Sequence, residues 1–195
     1  MNLPTNFFEM NFKLILPEFF LITCLLLLTL FGSFFSVSKK HKFPLILIPM
    51  AHLIVLVLSF SCILITDTCP INEIIFNSTF ICDVFSQTGK IILLLSAIIY
   101  IKIIVSYLNF SKINSFEYML LIVLSLLGQM ILCSSFDFLS LYLGIELHSL
   151  ALYTLAAFNR KSAYSTEAAL KYFILGALSS GFLLFGITLI YGFSG

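Results

Sequence analysis

The sequence predicts an all-α protein, a polytopic membrane helix bundle with six transmembrane helices. Three observations carry this. Of its 195 residues, 61% are hydrophobic and only 10% are charged, where a soluble domain carries about 25% charged residues. Its mean hydropathy is +1.13. Its apolar residues also fall into six runs, at about 15–37, 44–66, 90–109, 116–134, 137–158 and 166–192, each close to the ~20 residues that cross a bilayer as a helix.

Each run has its own helix signals. Pro17 and Glu18 open the first. Proline suits a first helical turn, and a carboxylate is favoured at the positive end of the helix dipole. Pro44 opens the second in the same way, and Pro49 is placed to bend it. Lys102 lies seven residues inside the third run, near enough to its end to snorkel. Asp137 opens the fifth, where a cap or dipole role suffices. Ser165 can cap the sixth, with Glu167 in its first turn. Within that run "GALSSG" sets Gly176 with Ser180 and Ala177 with Gly181, a spacing of small residues that lets helices pack closely in lipid.

The connections alternate in charge. "SKKHKF", "NFSKINS" and "NRKSAYST" bring Lys39, Lys40, Lys42, Lys112, Arg160 and Lys161. The opposite side has the 67–89 loop, with Asp67, Glu73 and Asp83, and the "CSSFD" turn. Basic connections mark the cytoplasmic or matrix side, so both termini are expected on the other, positive-potential side.

Other classes are excluded. A net charge of +1 gives no field for nucleic acid. Phosphate-binding glycine loops, metal-ligand spacings and serine-nucleophile elbows are absent from the sequence, and no cleavable signal peptide is evident. Nine lysines against one arginine, with 22 phenylalanines and no tryptophan, are the bias of an AT-rich genome and suggest an organellar one. Cys24, Cys62 and Cys133 lie in apolar runs and are read as packing residues. Cys69 and Cys82 share the acidic loop, where a bridge closing ~14 residues would add about 3 kcal/mol in the chain-entropy model.

Charges inside the runs point to function. Glu146 lies near the middle of the fifth, where a charge costs ~2.5–3.5 kcal/mol on insertion scales. Tyr142, Ser149 and Tyr153 share its helix face. That polar stripe is expected to meet protein or a water-filled cavity. Two readings stand for Glu146: a proton or ion relay, which intramembrane acids usually are, and a structural carboxylate bonded to its neighbours. Lys171, inside the sixth run, also has two. It either snorkels paired with Glu167 at i−4, or lines the same polar pathway as Glu146. His148 follows Glu146 by two residues and points to nearly the opposite face, so it is read as a packed histidine, as is His52.

"FDFLSLYLGIELHSLALYTLAAFNRKSAYSTEAALKYFILGALSSGFLLFGITLIYG" resembles NADH dehydrogenase subunit 2, an antiporter-like membrane subunit of respiratory complex I. The likeness is strong over 136–192, fair over 116–135 and weak before 110, where "LPEFF" and the number of spans fit and little else does. The resemblance implies that Glu146 is the key glutamate of the proton pathway and that Lys171 is the lysine of the family's sixth-helix segment. It implies no redox centre and no metal here: FMN, iron–sulfur clusters and ubiquinone belong elsewhere in the complex. The family's fold has about fourteen helices, two inverted repeats of five following the first three. By that measure 1–110 holds the three N-terminal helices and 111–195 the first three helices of the first repeat, an incomplete antiporter-like fold.

The function this implies is that of the N-terminal fragment of a proton-translocating membrane-arm subunit of NADH:ubiquinone oxidoreductase, in the mitochondrial inner membrane or, alternatively, a bacterial plasma membrane. Its expected partners are lipid, other membrane-arm subunits and a separate chain carrying the remaining helices. Two rivals stand: a subunit of a related cation/proton antiporter or membrane hydrogenase, and a structural anchor that has lost transport.

Overall fold

The computed structural model describes residues 5–35, 47–67, 73–76, 78–111 and 116–194. They form six helices and a short hairpin: α1 (Thr5–Phe35), α2 (Leu47–Asp67), β1 (Glu73–Ile75), β2 (Phe80–Cys82), α3 (Val84–Ser111), α4 (Glu117–Ser134), α5 (Phe138–Ala156) and α6 (Ala163–Ser194). All six helices are long and apolar enough to cross a membrane. The expected bundle is therefore present, and its last three helices lie within a few residues of their predicted bounds.

The differences have local causes. α1 starts ten residues before the apolar run, so Pro17 lies inside the helix and not in its first turn. No glycine or proline stands between Thr5 and Leu16 to stop the helix from extending outward. Pro49 sits in the first turn of α2. Its missing N–H is no loss there, so it opens the helix rather than bending it. Pro44 lies outside the described residues. α3 begins six residues earlier than its apolar run because Asp83 caps it. The Ser86 N–H donates to Asp83 Oδ1 at 2.7 Å, and Ser86 Oγ accepts from the Asp83 N–H at 3.1 Å. This reciprocal pair satisfies donors that a helix start leaves orphaned.

α6 is capped differently from expectation. Ser162 occupies the cap, accepting weakly from the Ser165 N–H at 3.4 Å. The Ser165 hydroxyl instead donates to the Ala156 carbonyl at 2.6 Å, tying the start of α6 to the last turn of α5.

The 67–89 segment is more than a loop. β1 and β2 pair antiparallel, Glu73 with Cys82 and Ile75 with Phe80. The tight turn holds Phe76 and Ser78 at φ 51° and 66°, left-handed values that non-glycine residues rarely adopt. The hairpin docks through one carbonyl. Thr79 O accepts from the Phe136 N–H at 3.0 Å and from Ser140 Oγ at 2.9 Å. It therefore caps the α4–α5 turn, on the side where α1 and α3 begin.

The main core joins α1 to α4. Leu21, Met50, Ile54, Leu58, Leu94, Ile101, Met119 and Met130 are fully buried within it. α4 is central, with 56% of its span buried against 6% for α6. Intramembrane hydroxyls turn back on their own helices. Buried Ser61 donates to the Leu58 carbonyl at 2.8 Å and Ser125 to Ile122 at 2.8 Å, which settles a polar group without a neighbour's help.

Candidate functional site

Glu146 is placed by the contact between α4 and α5. Apolar side chains gain little by leaving lipid for one another, so close packing is what holds helices together there. Gly128 and Gly144 supply it. A Cβ on Gly128 would stand 2.7 Å from the His148 backbone nitrogen and 3.0 Å from the Gly144 carbonyl oxygen. His148 Nδ1 lies 3.2 Å from the Ser125 carbonyl oxygen, a hydrogen bond when Nδ1 carries the proton. Gly144 and His148 are one turn apart, so both turn the same face of α5 to α4. Glu146, two residues from each, is directed to the other face. His148 is thus the hydrogen-bonded packing residue the sequence suggested.

The Glu146 side chain is half-buried, and its Oε2 is buried with no hydrogen-bond partner among the described residues. The rest of the stripe does not serve it. Ser149 Oγ donates to the Glu146 main-chain carbonyl at 3.0 Å, not to the carboxylate. Tyr153 is buried and committed to α6, packing edge-on against Tyr172 and Phe173 with ring centroids 4.8 Å and 5.6 Å away. Its hydroxyl fills the notch left by Gly176, where any Cβ would overlap it. Gly176 therefore accommodates a tyrosine, while Gly181 faces open space.

Lys171 is not brought to Glu146. Its ammonium lies 2.5 Å from Glu167 Oε1, with the two side chains 71% and 61% exposed. No hydrogen bond or ion pair joins Lys171 to Glu146 among the described residues. Lys102 and His52 are exposed on the outside of the bundle. Asp137 makes no side-chain cap bond. It accepts a short hydrogen bond from the Tyr191 hydroxyl and so clips the start of α5 to the end of α6.

A buried charge pair, not expected from the sequence, lies elsewhere in the bundle. Lys90 Nζ of α3 lies 2.5 Å from Glu18 Oε1 of α1, with side chains 6% and 8% exposed. Apolar run length alone puts Glu18 at a helix start and begins the third span at residue 90. With α1 and α3 running inward from the same side, Glu18 and Lys90 stand four and six residues inside the spans Leu14–Phe34 and Val84–Leu108, roughly 6 and 9 Å deep at ~1.5 Å per residue. Matching depth was the available signal. Apolar run length hides it, because the Asp83 cap starts α3 six residues before the run.

Cysteines are uneventful. Cys24, Cys62 and Cys133 are partly buried free thiols, and Cys82 is a buried one. Cys69, its expected bridge partner, lies outside the described residues. Burial pushes the Cys82 thiol above the ordinary value of 9.0, against the smaller opposing effect of the Lys90 ammonium.

The chain is similar to known proteins. The family described as NADH:quinone oxidoreductase/Mrp antiporter, TM, matches residues 135–195, the stretch that contains Glu146, Glu167 and Lys171. The chain is 40% identical over 190 residues to NADH-ubiquinone oxidoreductase chain 2 of Marchantia polymorpha, covering 96% of this chain and 39% of that protein. Nearly the whole chain is thus similar to chain 2 of NADH:ubiquinone oxidoreductase.

A bacterial relative agrees with the plant one. The chain is 42% identical over 181 residues to NADH-quinone oxidoreductase subunit N of Paramagnetospirillum magneticum, covering 93% of this chain and 36% of that one. In the solved respiratory complex I from Thermus thermophilus with bound aureothin, one chain matches with a TM-score of 0.71 at 28% identity, over 90% of this chain and 36% of its own. The likeness thus reaches well into α1 to α3, where the sequence alone showed little. The chain spans less than two-fifths of the length of these relatives.

Proposed function

We propose that this chain is the N-terminal portion of a proton-translocating membrane-arm subunit of NADH:quinone oxidoreductase, and that Glu146 carries a proton within it. The observation that carries the reading is the Glu146 carboxylate: near midspan, with a buried oxygen that has no hydrogen-bond partner among the described residues, on the face of α5 turned away from α4. A buried, unsatisfied carboxylate is costly unless a partner arrives. A cation brought to ~4 Å would contribute ~4 kcal/mol at an effective dielectric of ~20. That is enough to hold Glu146 ionised when the cation is near and to let it take a proton when the cation withdraws.

The cation belongs to helices that follow α6 in the family's fold. The face they would cover is the open side of α5 and α6. Gly181, Gly186 and Gly192 meet nothing there, and Lys171 is exposed on α6. NADH oxidation, with its FMN and iron–sulfur clusters, and quinone reduction fall to other subunits of the assembly, and this chain moves protons in response. The AT-rich bias favours the mitochondrial inner membrane as its home.

Affinity purification of this chain from native membranes tests the assembly. Recovery of NADH:quinone reductase activity is expected. Recovery of this chain in a sodium/proton antiporter complex without NADH-oxidising subunits would overturn the reading.

A further inference from the structure

The Glu18–Lys90 pair lies on the other side of α4 from Glu146, and the Glu146 reading does not use it. It lines a cavity of about 450 Å³ walled by α1, the hairpin, α3 and α4. Most of the wall is apolar, with Leu14, Ile75 and Cys82 forming a small buried cluster beneath the hairpin. The polar lining is Glu18, Lys90, Thr79, Ser134 and Cys82.

Two features separate this from a simple structural pin. Although Lys90 Nζ is 2.5 Å from Oε1, neither Glu18 oxygen makes a bond of hydrogen-bonding geometry among the described residues, and both oxygens are buried. The carboxylate also fronts a space far larger than the ~30 Å³ share of one water. Buried water occupies such a site when it finds two to four polar partners, and the pair, Thr79 and Ser134 provide them.

We propose that this cavity is a hydrated proton-exchange site, a second one in the chain, with water as its ligand and Glu18 as the group that takes the proton. In the ionised state Glu18 is a carboxylate and Lys90 an ammonium, neutral together. A hydronium in the cavity gives a proton to Glu18, an O–H bond forms on the carboxyl, the hydronium becomes water, and Lys90 remains an ammonium. The site then carries one positive charge until the proton leaves by the same water. Among the described residues, the other ionisable groups around the pair are Cys82 and Asp83 at the hairpin and Cys133 of α4. Asp83 is already committed to the Ser86 N–H at 2.7 Å. The hairpin side is the side the charge pattern assigns to positive potential, so the exchange is with that compartment. For its role in pumping, the proposal rests on the membrane-arm reading. Its chemistry stands on this cavity alone.

A hydrophobic carbodiimide reacts with protonated carboxyls in apolar surroundings and not with ionised ones. The intact complex is treated over a series from about pH 4 to about pH 9, running from the usual carboxyl range through that of histidine, and Glu18 and Glu146 are read on separate peptides by mass spectrometry. A Glu18 adduct is expected, its rate falling about tenfold for each pH unit once the carboxyl is mostly ionised. Lys90→Gln, which removes the cation that favours the ionised form, should raise the rate about tenfold or more at a fixed pH. Should that variant fail to assemble, the pH series on the unaltered complex decides. Glu18 unmodified at every pH, or modified at a rate indifferent to pH, would overturn the proposal whatever Glu146 does. An unmodified Glu146 beside a titrating Glu18 would count against the membrane-arm reading of Glu146 alone.

Discussion

Gly144 of α5 faces Gly128 of α4 so closely that a Cβ on Gly144 would lie 3.2 Å from the Gly128 carbonyl oxygen. This backbone contact fixes the rotation of α5 and with it the direction of Glu146. The atoms that a Gly128 Cβ would strike are main-chain atoms, which cannot swing aside as a flexible side chain does.

Gly128→Ala should therefore separate α4 from α5 and cost roughly 1–3 kcal/mol, the usual range for overpacking. The unaltered complex is the reference. Thermal inactivation of the membrane complex compares the two, and equal midpoints would show that the glycine contact does not matter.

Most of the fold was legible because hydropathy sets transmembrane helices directly. The bounds of α4, α5 and α6 followed from apolar run length alone. Helix starts beyond the apolar run were not legible from hydropathy. Thr5–Leu14 of α1 and Val84–Gly89 of α3 are helical through the lack of a stop signal and through the Asp83–Ser86 cap. The hairpin was missed because its strands have three residues each, too few for a period of two to show. At the site, Glu146 and the opposed direction of His148 were legible from helix geometry. The Glu18–Lys90 pair required knowing that α1 and α3 start from the same side at known depths. For Lys171 the sequence allows two readings, and the structure shows its pairing with Glu167.

The buried pair has a mutational signature of its own. Removing one partner leaves the other charge buried without compensation, at about 3–5 kcal/mol, whereas replacing both by apolar residues is often neutral or better for stability. Lys90→Met should therefore lower the yield of assembled complex, and adding Glu18→Leu should recover it. If the double variant is no better than the single one, the two residues are not coupled as the 2.5 Å contact requires.

Tyr153 and Gly176 should also prove coupled. Gly176→Ala drives the Tyr153 ring out of its notch and loosens α6 from α5. With Tyr153→Leu already in place, the same glycine change should cost much less. Measured stabilities that simply add would place the tyrosine elsewhere.

Cys82 gives a pH dependence. Its thiol is held above 9.0, chiefly by burial. An unfolded chain would release that proton first as pH rises, so the fold loses stability above about pH 9, the ordinary thiol range. Below that range both states keep the proton, and the thiol adds no pH dependence. Alkylation of Cys82 in the folded complex should lag behind that of a free thiol at every pH and accelerate only above the ordinary value. A rate equal to that of the free thiol at neutral pH would contradict its burial.

The central claim is that Glu146 carries a proton for the assembled enzyme. The direct measurement is the number of protons moved per NADH oxidised, in sealed vesicles containing complex with Glu146→Gln. Glutamine keeps the shape and cannot ionise. The account predicts a normally assembled complex with a lower proton-to-NADH ratio than the unaltered one. An unchanged ratio in a fully assembled Glu146→Gln complex would contradict it.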